Sequence, residues 1–546
     1  MTRRVLVLGC LAAVSLLAVA ALPGAEGSTD AREGGIFRVS FQGSSSLQAF
    51  DHVDPALAYT HESWALLDTV CARLMRYRDR PSAEGYRIVP EVATDFPKVS
   101  PDGRTTTFTL RSGFRFSDGT PVGADAFAHA IDRTMARGVD SPAWLYTQAI
   151  VGAADVKSGK RSRAAGVTAR GDTLRVRFTR EVRDFAAWTT MPFFCAVPPT
   201  LPPSGEGVRT FPAAGPYTIR EYRPDDRIVL RRNHYYGGRR VHHVDGFDVD
   251  LSAGSPEDVL DRIEAGKADW GYAPAHTHTE PGRHLIGKYG LNESQYFVMP
   301  GLTMAMFVLN SSRPLFKDNP RLRRAVNLVL TRNAFKASAA AYPVTDHYLP
   351  APVQGFRDRP IYPLAGDLTR ARALAAGSLR DRKAVFYVPD CAGAIACVGF
   401  LVSQLEQLGL EIEIRPFPEW TTTSAYLGRL GDPDEPWDLA LIQWTPDFVD
   451  PYAYINRLLD GQAAGGTDLA RFDEPLYRAL MRKASRLQGG ARAKAYAELD
   501  LRLARDTAPA VPLYVVSEAT LVSNRVPKRC LTLRPGLVLT TVCLKR

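Results

Sequence analysis

At 546 residues the chain exceeds what a single hydrophobic core can serve and is expected to form two or three domains. Hydrophobic residues at 45% and charged residues at 23% are the balance of a folded soluble protein, which excludes a mainly disordered chain. Lys and Arg (68) exceed Asp and Glu (58) for a net charge of +10, but the excess is scattered, with short clusters such as Arg231-Arg232 and Arg239-Arg240 rather than a basic stripe with interleaved aromatics; this argues against nucleic acid as a partner and leaves a weak attraction to anionic envelope surfaces.

The first elements set the compartment. Arg3-Arg4 precede an apolar run from Val5 to Leu22, and Pro23 to Gly27 supplies small residues, so residues 1–27 read as a signal peptide cleaved after Ala20 or Gly27. The run is long enough that a retained membrane anchor is the alternative. Val7-Leu8-Gly9-Cys10 superficially resembles a lipobox, but too little apolar sequence precedes Cys10 for a lipoprotein signal. The protein therefore reads as exported, at the extracellular or periplasmic face of the envelope, with N-terminal membrane association as the alternative.

Gly35 to Phe41 alternates as a strand, and the polar stretch Gln42 to Ser46 after it is a turn that could line a cleft. Ser63 to Leu74 has helical spacing, and Tyr86 to Phe96 carries short extended pieces. The Asp102-Gly103 and Asp118-Gly119 steps mark turns around β-branched strands, followed by a helix from Ala124 to Arg137. A strand from Thr173 to Phe178 and a helix near Asp184 to Thr190 lead into the proline-rich loop Pro198 to Pro212, which reads as a domain crossing. Tyr217 to Asn233 is a hairpin; Gly246 to Leu251, the helix Pro256 to Glu264 and Ala268 to Tyr272 form a βαβ-like step. Thr303 to Asn310 is an apolar strand, and Pro320 to Phe335 a helix with one apolar face. Lys383 to Val388, Cys397 to Leu408 and Leu410 to Arg415 give a strand, helix and strand of the parallel crossover kind. Leu439 to Ile442 is an interior strand, and the Thr-Pro-Asp and Asp-Pro steps after it are turns, so Trp444 and Asp447 should emerge where the chain leaves the core. Asp447 there either faces a ligand or caps the turn. Helices from Glu474 to Leu487 and Ala491 to Asp506 precede the extended run Ala508 to Val515.

Catalytic patterns are missing: there is no Gly-x-Ser-x-Gly elbow, no His-Glu-x-x-His helix and no P-loop. The reading is of a chain that is not an enzyme. His242, His243, His276, His278 and His284 come nearest to a metal site, but they lie in polar, Pro- and Gly-rich sequence without i, i+4 spacing and read as solvated loop, so no metal and no cofactor is expected. Beyond Cys10 six cysteines remain, an even number suited to an exported chain. Cys391 and Cys397 flank a small-residue loop, Cys530 and Cys543 bracket the C-terminal segment, and Cys71 is left with Cys195. Free buried thiols are the alternative.

Taken in order, these segments resemble the extracellular solute-binding proteins of the oligopeptide, dipeptide and nickel class that serve ABC importers. The likeness runs from about Gly34 to about Tyr514. It is carried by Asp102-Gly103 through Gly119-Thr120-Pro121, the Ala124-Asp125-Ala126-Phe127 helix start, Gly215-Pro216-Tyr217 with Arg232-Asn233, and Leu309-Asn310. Arg323-Arg324-Ala325-Val326-Asn327, Trp444 to Pro451 and Pro509 to Tyr514 complete it. The chain departs at Thr331, where the family often has Asp before Arg, a change expected to affect local packing, and at its leader, which lacks the family's lipobox.

The resemblance implies an α/β fold of the two-lobed type II (class C) periplasmic-binding-protein kind. Residues 35–50, 210–300 and 518–546 would form the lobe I core, 51–209 a domain inserted in lobe I, and 301–517 lobe II, with a ligand cleft between the lobes. Each cysteine pair then lies within one domain, as a hinged protein requires. The implied function is hinge closure on a peptide or similar amine-bearing solute and its delivery by a monomer to an ABC transporter permease. Nickel or metal-chelate capture, and presentation of ligand to a sensor, are the alternatives. Asp447 would hold the ligand's ammonium group, since a charge-assisted hydrogen bond in a water-poor cleft is strong and directional. Trp444 is a candidate pocket wall, and Trp144, Tyr146, Ser44 and Ser45 are further ligand candidates. Asp450 reads as a turn or cap residue, and Gly215, Pro216 and Tyr217 as shapers of the backbone.

Overall fold

Two strands, Tyr296–Leu309 and Ala510–Val522, are longer than any others and pair antiparallel with each other over most of their length. Both are dominated by buried apolar residues, so they form the middle of a sheet rather than an edge. The computed structural model describes residues 31–42, 50–277, 279–338, 343–379, 381–389, 394–417, 423–461, 467–534 and 536–545. Around the two long strands it builds one ten-stranded sheet and places a separate four-stranded sheet beside it.

On one side, the C-terminal part of Tyr296–Leu309 pairs antiparallel with Leu439–Trp444, which pairs parallel with Lys383–Pro389, and that strand in turn with Glu411–Phe417. The helix Ala394–Gln407 makes the crossover between the last two, as the alternation of apolar strand and helix in sequence requires. On the other side, Ala510–Val522 pairs with Trp270–Ala273; Ile36–Gln42 lies parallel to both Trp270–Ala273 and Gly246–Ala253, and the hairpin Tyr217–Arg223 with Arg227–Arg232 ends the sheet. The same sheet thus serves two halves that share only the central pair of strands.

The central pair is interrupted. Its register shifts between Pro300 and Met304 and again between Ala305 and Met306. The Pro300-Gly301 step explains why the sequence pattern shows a strand only from Thr303: both residues read as breakers, whereas the structure uses them as an irregularity inside a continuous strand.

The 51–209 segment carries the four-stranded sheet (Lys98–Val99, Thr105–Thr109, Thr173–Arg177, Val167–Arg170) with the helix Ala124–Met135 packed on it. The expected turns appear at Gly103 (φ +68°) and Gly119 (φ +87°), left-handed conformations that glycine adopts without penalty. Its core residues Phe108, Phe185 and Trp188 belong to one continuous apolar cluster with Phe307, Phe386 and Trp437 from beyond the central strands. A second cluster fills the half containing Phe37, Phe247 and Trp270.

Several expected elements shift. The expected helix Pro320 to Phe335 ends at Val329 and resumes as the short helix Ala334–Ser338. Arg332 causes the break by turning inward, where its guanidinium donates to the carbonyl of Pro512 (2.7 Å) and to Asn327 (3.0 and 2.9 Å). Thr331 packs locally, accepting from Gln404 (2.8 Å) and donating to the carbonyl of Ala365 (3.1 Å). The helix expected over Ala491 to Asp506 runs from Gly489 to Arg502 and then widens into a π-helical turn, Leu503–Thr507.

Disulfides join Cys71 to Cys195 and Cys530 to Cys543, with Cα atoms 5.3 and 5.5 Å apart. Cys391 and the side chain of Cys397 lie outside the described residues, as do residues 1–30 with the leader.

Candidate ligand cleft

The strand Leu439–Trp444 is apolar because it is buried, and Thr445-Pro446 ends it, since proline cannot donate to a ladder. The chain then turns through Asp447 to Asp450, which caps the short helix Pro451–Tyr454 by accepting from the backbone N–H of Tyr452 at 2.8 Å. Capping is therefore done by Asp450, and Asp447 is left to point elsewhere.

It points at the 51–209 segment. Asp447 Oδ1 accepts from the Tyr59 hydroxyl at 2.8 Å, while Oδ2 accepts from the Tyr146 hydroxyl and from Arg457 Nη1 at 2.7 Å. Arg457 also donates to Tyr146 Oη at 2.5 Å. Its guanidinium lies over the rings of Tyr146 (5.2 Å) and Trp444 (5.4 Å), a placement that adds cation–π attraction to the ion pair. The Asp447 side chain is 10% exposed and Arg457 only 4%. Although the Tyr59 residue is half exposed, desolvation at its hydroxyl end, then the Asp447 charge, push that hydroxyl well above its ordinary pKa, so it stays a donor. Burial alone would lower Arg457, but Tyr146 and Asp447 outweigh it and raise it.

Further contacts run in parallel. The backbone N–H of Val449 donates to Tyr77 Oη at 2.7 Å. Arg492 donates to Asp450 at 2.7 Å and to Asp184, and Arg486 binds Glu181 through Nε and Nη2 (2.8 and 2.7 Å). Asp184, Arg183, Trp188, Tyr452 and Asn456 are among the residues lining a cavity of about 200 Å³ at this boundary.

Of the residues singled out in the sequence, the structure brings Tyr146 and Trp444 to Asp447. Tyr146 is buried against Trp188 (5.0 Å) and Phe448 (6.1 Å). Trp444 is 5% exposed and donates through Nε1 to the carbonyl of Ala453 at 2.9 Å. Trp144 is half-buried, with Lys157 over its ring at 5.7 Å. Ser44 and Ser45 lie outside the described residues. His243 pairs with Glu33 and His284 with Glu264, His242 bonds the carbonyl of Arg240, and His278 lies outside the described residues. Among the described residues no three His, Cys, Asp or Glu side chains gather as a metal site would need. Tyr59, Tyr77 and Arg457 escaped sequence reasoning, since none lies at a regular spacing from Asp447. Only the position of Arg457 just after the Asp450-Pro451 turn hinted at it.

Two halves sharing a pair of irregular central strands, with polar side chains meeting across the gap, define a hinged solute-binding protein. The chain belongs to the bacterial extracellular solute-binding proteins, family 5, whose middle-region model matches residues 87–466. It is similar to the probable deoxycholate-binding periplasmic protein YgiS of Escherichia coli, at 24% identity over 76% of this chain and 77% of the relative. It is also similar to the oligopeptide-binding protein OppA of Bacillus subtilis, at 22% identity over 70% of this chain and 72% of that one. Among solved structures, clavulanic acid biosynthesis oligopeptide binding protein 2 superposes with a TM-score of 0.81 over 94% of this chain and 96% of that one at 22% identity, which shows the shared fold. The family is one of solute-binding proteins rather than enzymes. Among the described residues no helix is long and apolar enough to cross a membrane.

Proposed function

We propose that this chain captures peptides between its lobes by hinge closure and hands them to an ABC transporter permease, acting as an exported monomer without catalysis. The observation that carries the reading is the meeting of Asp447 and Arg457 with Tyr59 and Tyr146, contributed by opposite sides of the gap. Relatives named for oligopeptide binding support the choice of ligand. The lobes divide as residues 35–50, 210–300 and 518–546 with the inserted 51–209, against 301–517, and the hinge runs through the interrupted central strands.

In this reading Asp447 receives the ligand's free ammonium group. Oδ2 is committed to Arg457 and Tyr146, but Oδ1 is held by Tyr59, a residue 49% exposed, whose hydroxyl yields its place when the ammonium enters. Thermal shift and calorimetry with free-amine and N-acetylated peptides test this. A free-amine peptide should raise Tm progressively with the logarithm of its concentration, Asp447→Asn should largely abolish that rise, and the response to N-acetylated peptides should be equally weak in both chains. An unchanged free-amine response in Asp447→Asn would remove the ammonium contact from the proposal.

A further inference from the structure

Every carboxylate that meets the other side at the contacts above has an arginine: Asp447 has Arg457, Asp450 and Asp184 share Arg492, and Glu181 has Arg183 and Arg486. Two glutamates, Glu62 buried and Glu518 half-buried, do not. Glu62, in the first turn of the helix His61–Val70, and Glu518, in the central strand Ala510–Val522, interact with each other, and among the described residues neither forms an ion pair with lysine or arginine. This happens in a chain with 68 such cations.

Their surroundings are built rather than accidental. Glu518 stands opposite Met299, one pair before the register break of the central strands. A Cβ at Gly301 would come within 3.3 Å of Glu518 Oε1, and one at Gly536 within 3.8 Å of Oε2 and 3.4 Å of the Tyr272 hydroxyl. Both glycines lie beside the carboxylate, Gly301 required by the carbonyl of Val516 at 2.4 Å from its Cβ position and Gly536 by its φ of +71°. Tyr86 supplies an independent sign of a missing occupant: it is only 9% exposed, its hydroxyl has no hydrogen-bond partner, and it lies within electrostatic reach of Glu518. A buried hydroxyl left without a partner is unfavourable, because it has given up its bonds to water. Among the described residues, the other titratable groups that act on the pair include His61, which is exposed and attracts both carboxylates, Asp51, which repels Glu62, and Tyr272. Arg534 approaches Tyr86 but is committed to the carbonyls of Arg78 and Gly85 and to the Tyr77 ring.

Burial raises both carboxyl groups and so favours their neutral forms, whereas a cation arriving between them would favour the ionised forms. We propose that Glu518 and Glu62, with the Tyr86 hydroxyl, hold a cationic group of the captured solute, an ammonium or guanidinium such as a basic side chain carries, at the hinge end of the cleft. The proposal deepens the peptide reading and rests on it for the rest of the ligand: one positive end at Asp447, a second positive group here.

The test uses the full chain with alanine tetrapeptides in which each position in turn carries lysine or uncharged norleucine, and spermidine as a non-peptide cation. Lysine at one position should bind about tenfold or more tighter than norleucine there, the strength of a charge-assisted bond in an enclosed site. In Glu518→Gln and Glu62→Gln that ratio should fall towards one, while Tm of the empty Glu518→Gln chain should rise. Tyr86→Phe should lower the ratio several-fold and serves if a glutamine variant does not fold. A ratio of one at every position overturns the site and leaves peptide capture standing, and a ratio unchanged in the variants overturns the assignment to these residues. Binding of spermidine that Glu518→Gln abolishes, with no peptide bound, keeps the site and overturns peptide capture. Binding of neither overturns both.

Discussion

Glu62 shows how one side chain can tie stability to pH. Burial, opposed by the backbone hydrogen bond of Glu62 and by His61, raises its carboxyl from the ordinary 4.5 to about 7. The folded chain therefore holds a proton that the unfolded chain releases, so its contribution to stability is fully present below about 4.5 and is lost as pH rises through about 7. Asp132, raised to about 6, and Asp468, raised to about 7, both by burial, act in the same direction. Their share cancels in a difference: Tm of the native chain minus that of Glu62→Gln should decline between pH 4.5 and pH 7 and level off above. A difference that stays flat across that window would show that Glu62 is not buried as described. Asp447 could be picked from sequence because a strand followed by Thr-Pro-Asp carries the Asp out of the strand and into the turn beyond it. Glu62 and Glu518 could not, because a helix-start glutamate and a strand glutamate have ordinary surface readings.

At the level of elements, two glycines with the same sequence appearance should respond oppositely to alanine. Gly215 stands before Pro216-Tyr217 and lies against the end of the helix His61–Val70, where a Cβ would meet Val70 C at 2.5 Å, Val70 O at 2.6 Å and Cys71 N at 2.8 Å. Backbone atoms beside a disulfide cannot move aside, so Gly215→Ala should cost about 1–3 kcal/mol or more, read as a fall in the denaturation midpoint. Gly287, inside the helix Glu280–Tyr289, has nothing within 4 Å of its Cβ position. Gly287→Ala should add about 0.5–1 kcal/mol, since alanine loses less chain entropy in a helix. A stabilised Gly215→Ala would contradict the close approach. The same elements show what pattern reading reaches: the helix Pro256–Glu264 appears at its expected bounds because Ser255 caps it and Pro256 opens it. The strand through Pro300-Gly301 and the helix broken at Arg332 were invisible, since each depends on a partner far away in sequence.

For the whole molecule, the contacts between the sides set the balance of open and closed forms. Arg492, 7% exposed, joins Asp184 of the 51–209 segment to Asp450 beside Asp447. Removing one member of a buried pair costs about 3–5 kcal/mol, because the partner charges stay enclosed. Even ~1.4 kcal/mol of that loss, felt only by the closed form, moves the equilibrium tenfold towards the open one. Arg492→Met should therefore enlarge the radius of gyration of the ligand-free chain in X-ray scattering, weaken ligand binding by about tenfold or more, and allow saturating ligand to restore the compact form. An unchanged radius would mean that Arg492 supports one side alone.

By itself the sequence determined what depends on neighbours along the chain: strand and helix periods, the Asp-Gly turns, the Asp450 cap and the ordered motifs that mark the family. Tertiary structure alone decided which charges are neutralised and which are left waiting. Arg457 lies ten residues from Asp447 and Tyr59 nearly four hundred, yet all three meet, while among the described residues the half-buried Glu518 forms no ion pair with lysine or arginine. The physical reason is that periodicity is a property of adjacent residues, whereas desolvation and charge pairing depend on distances through space, which only the folded chain sets.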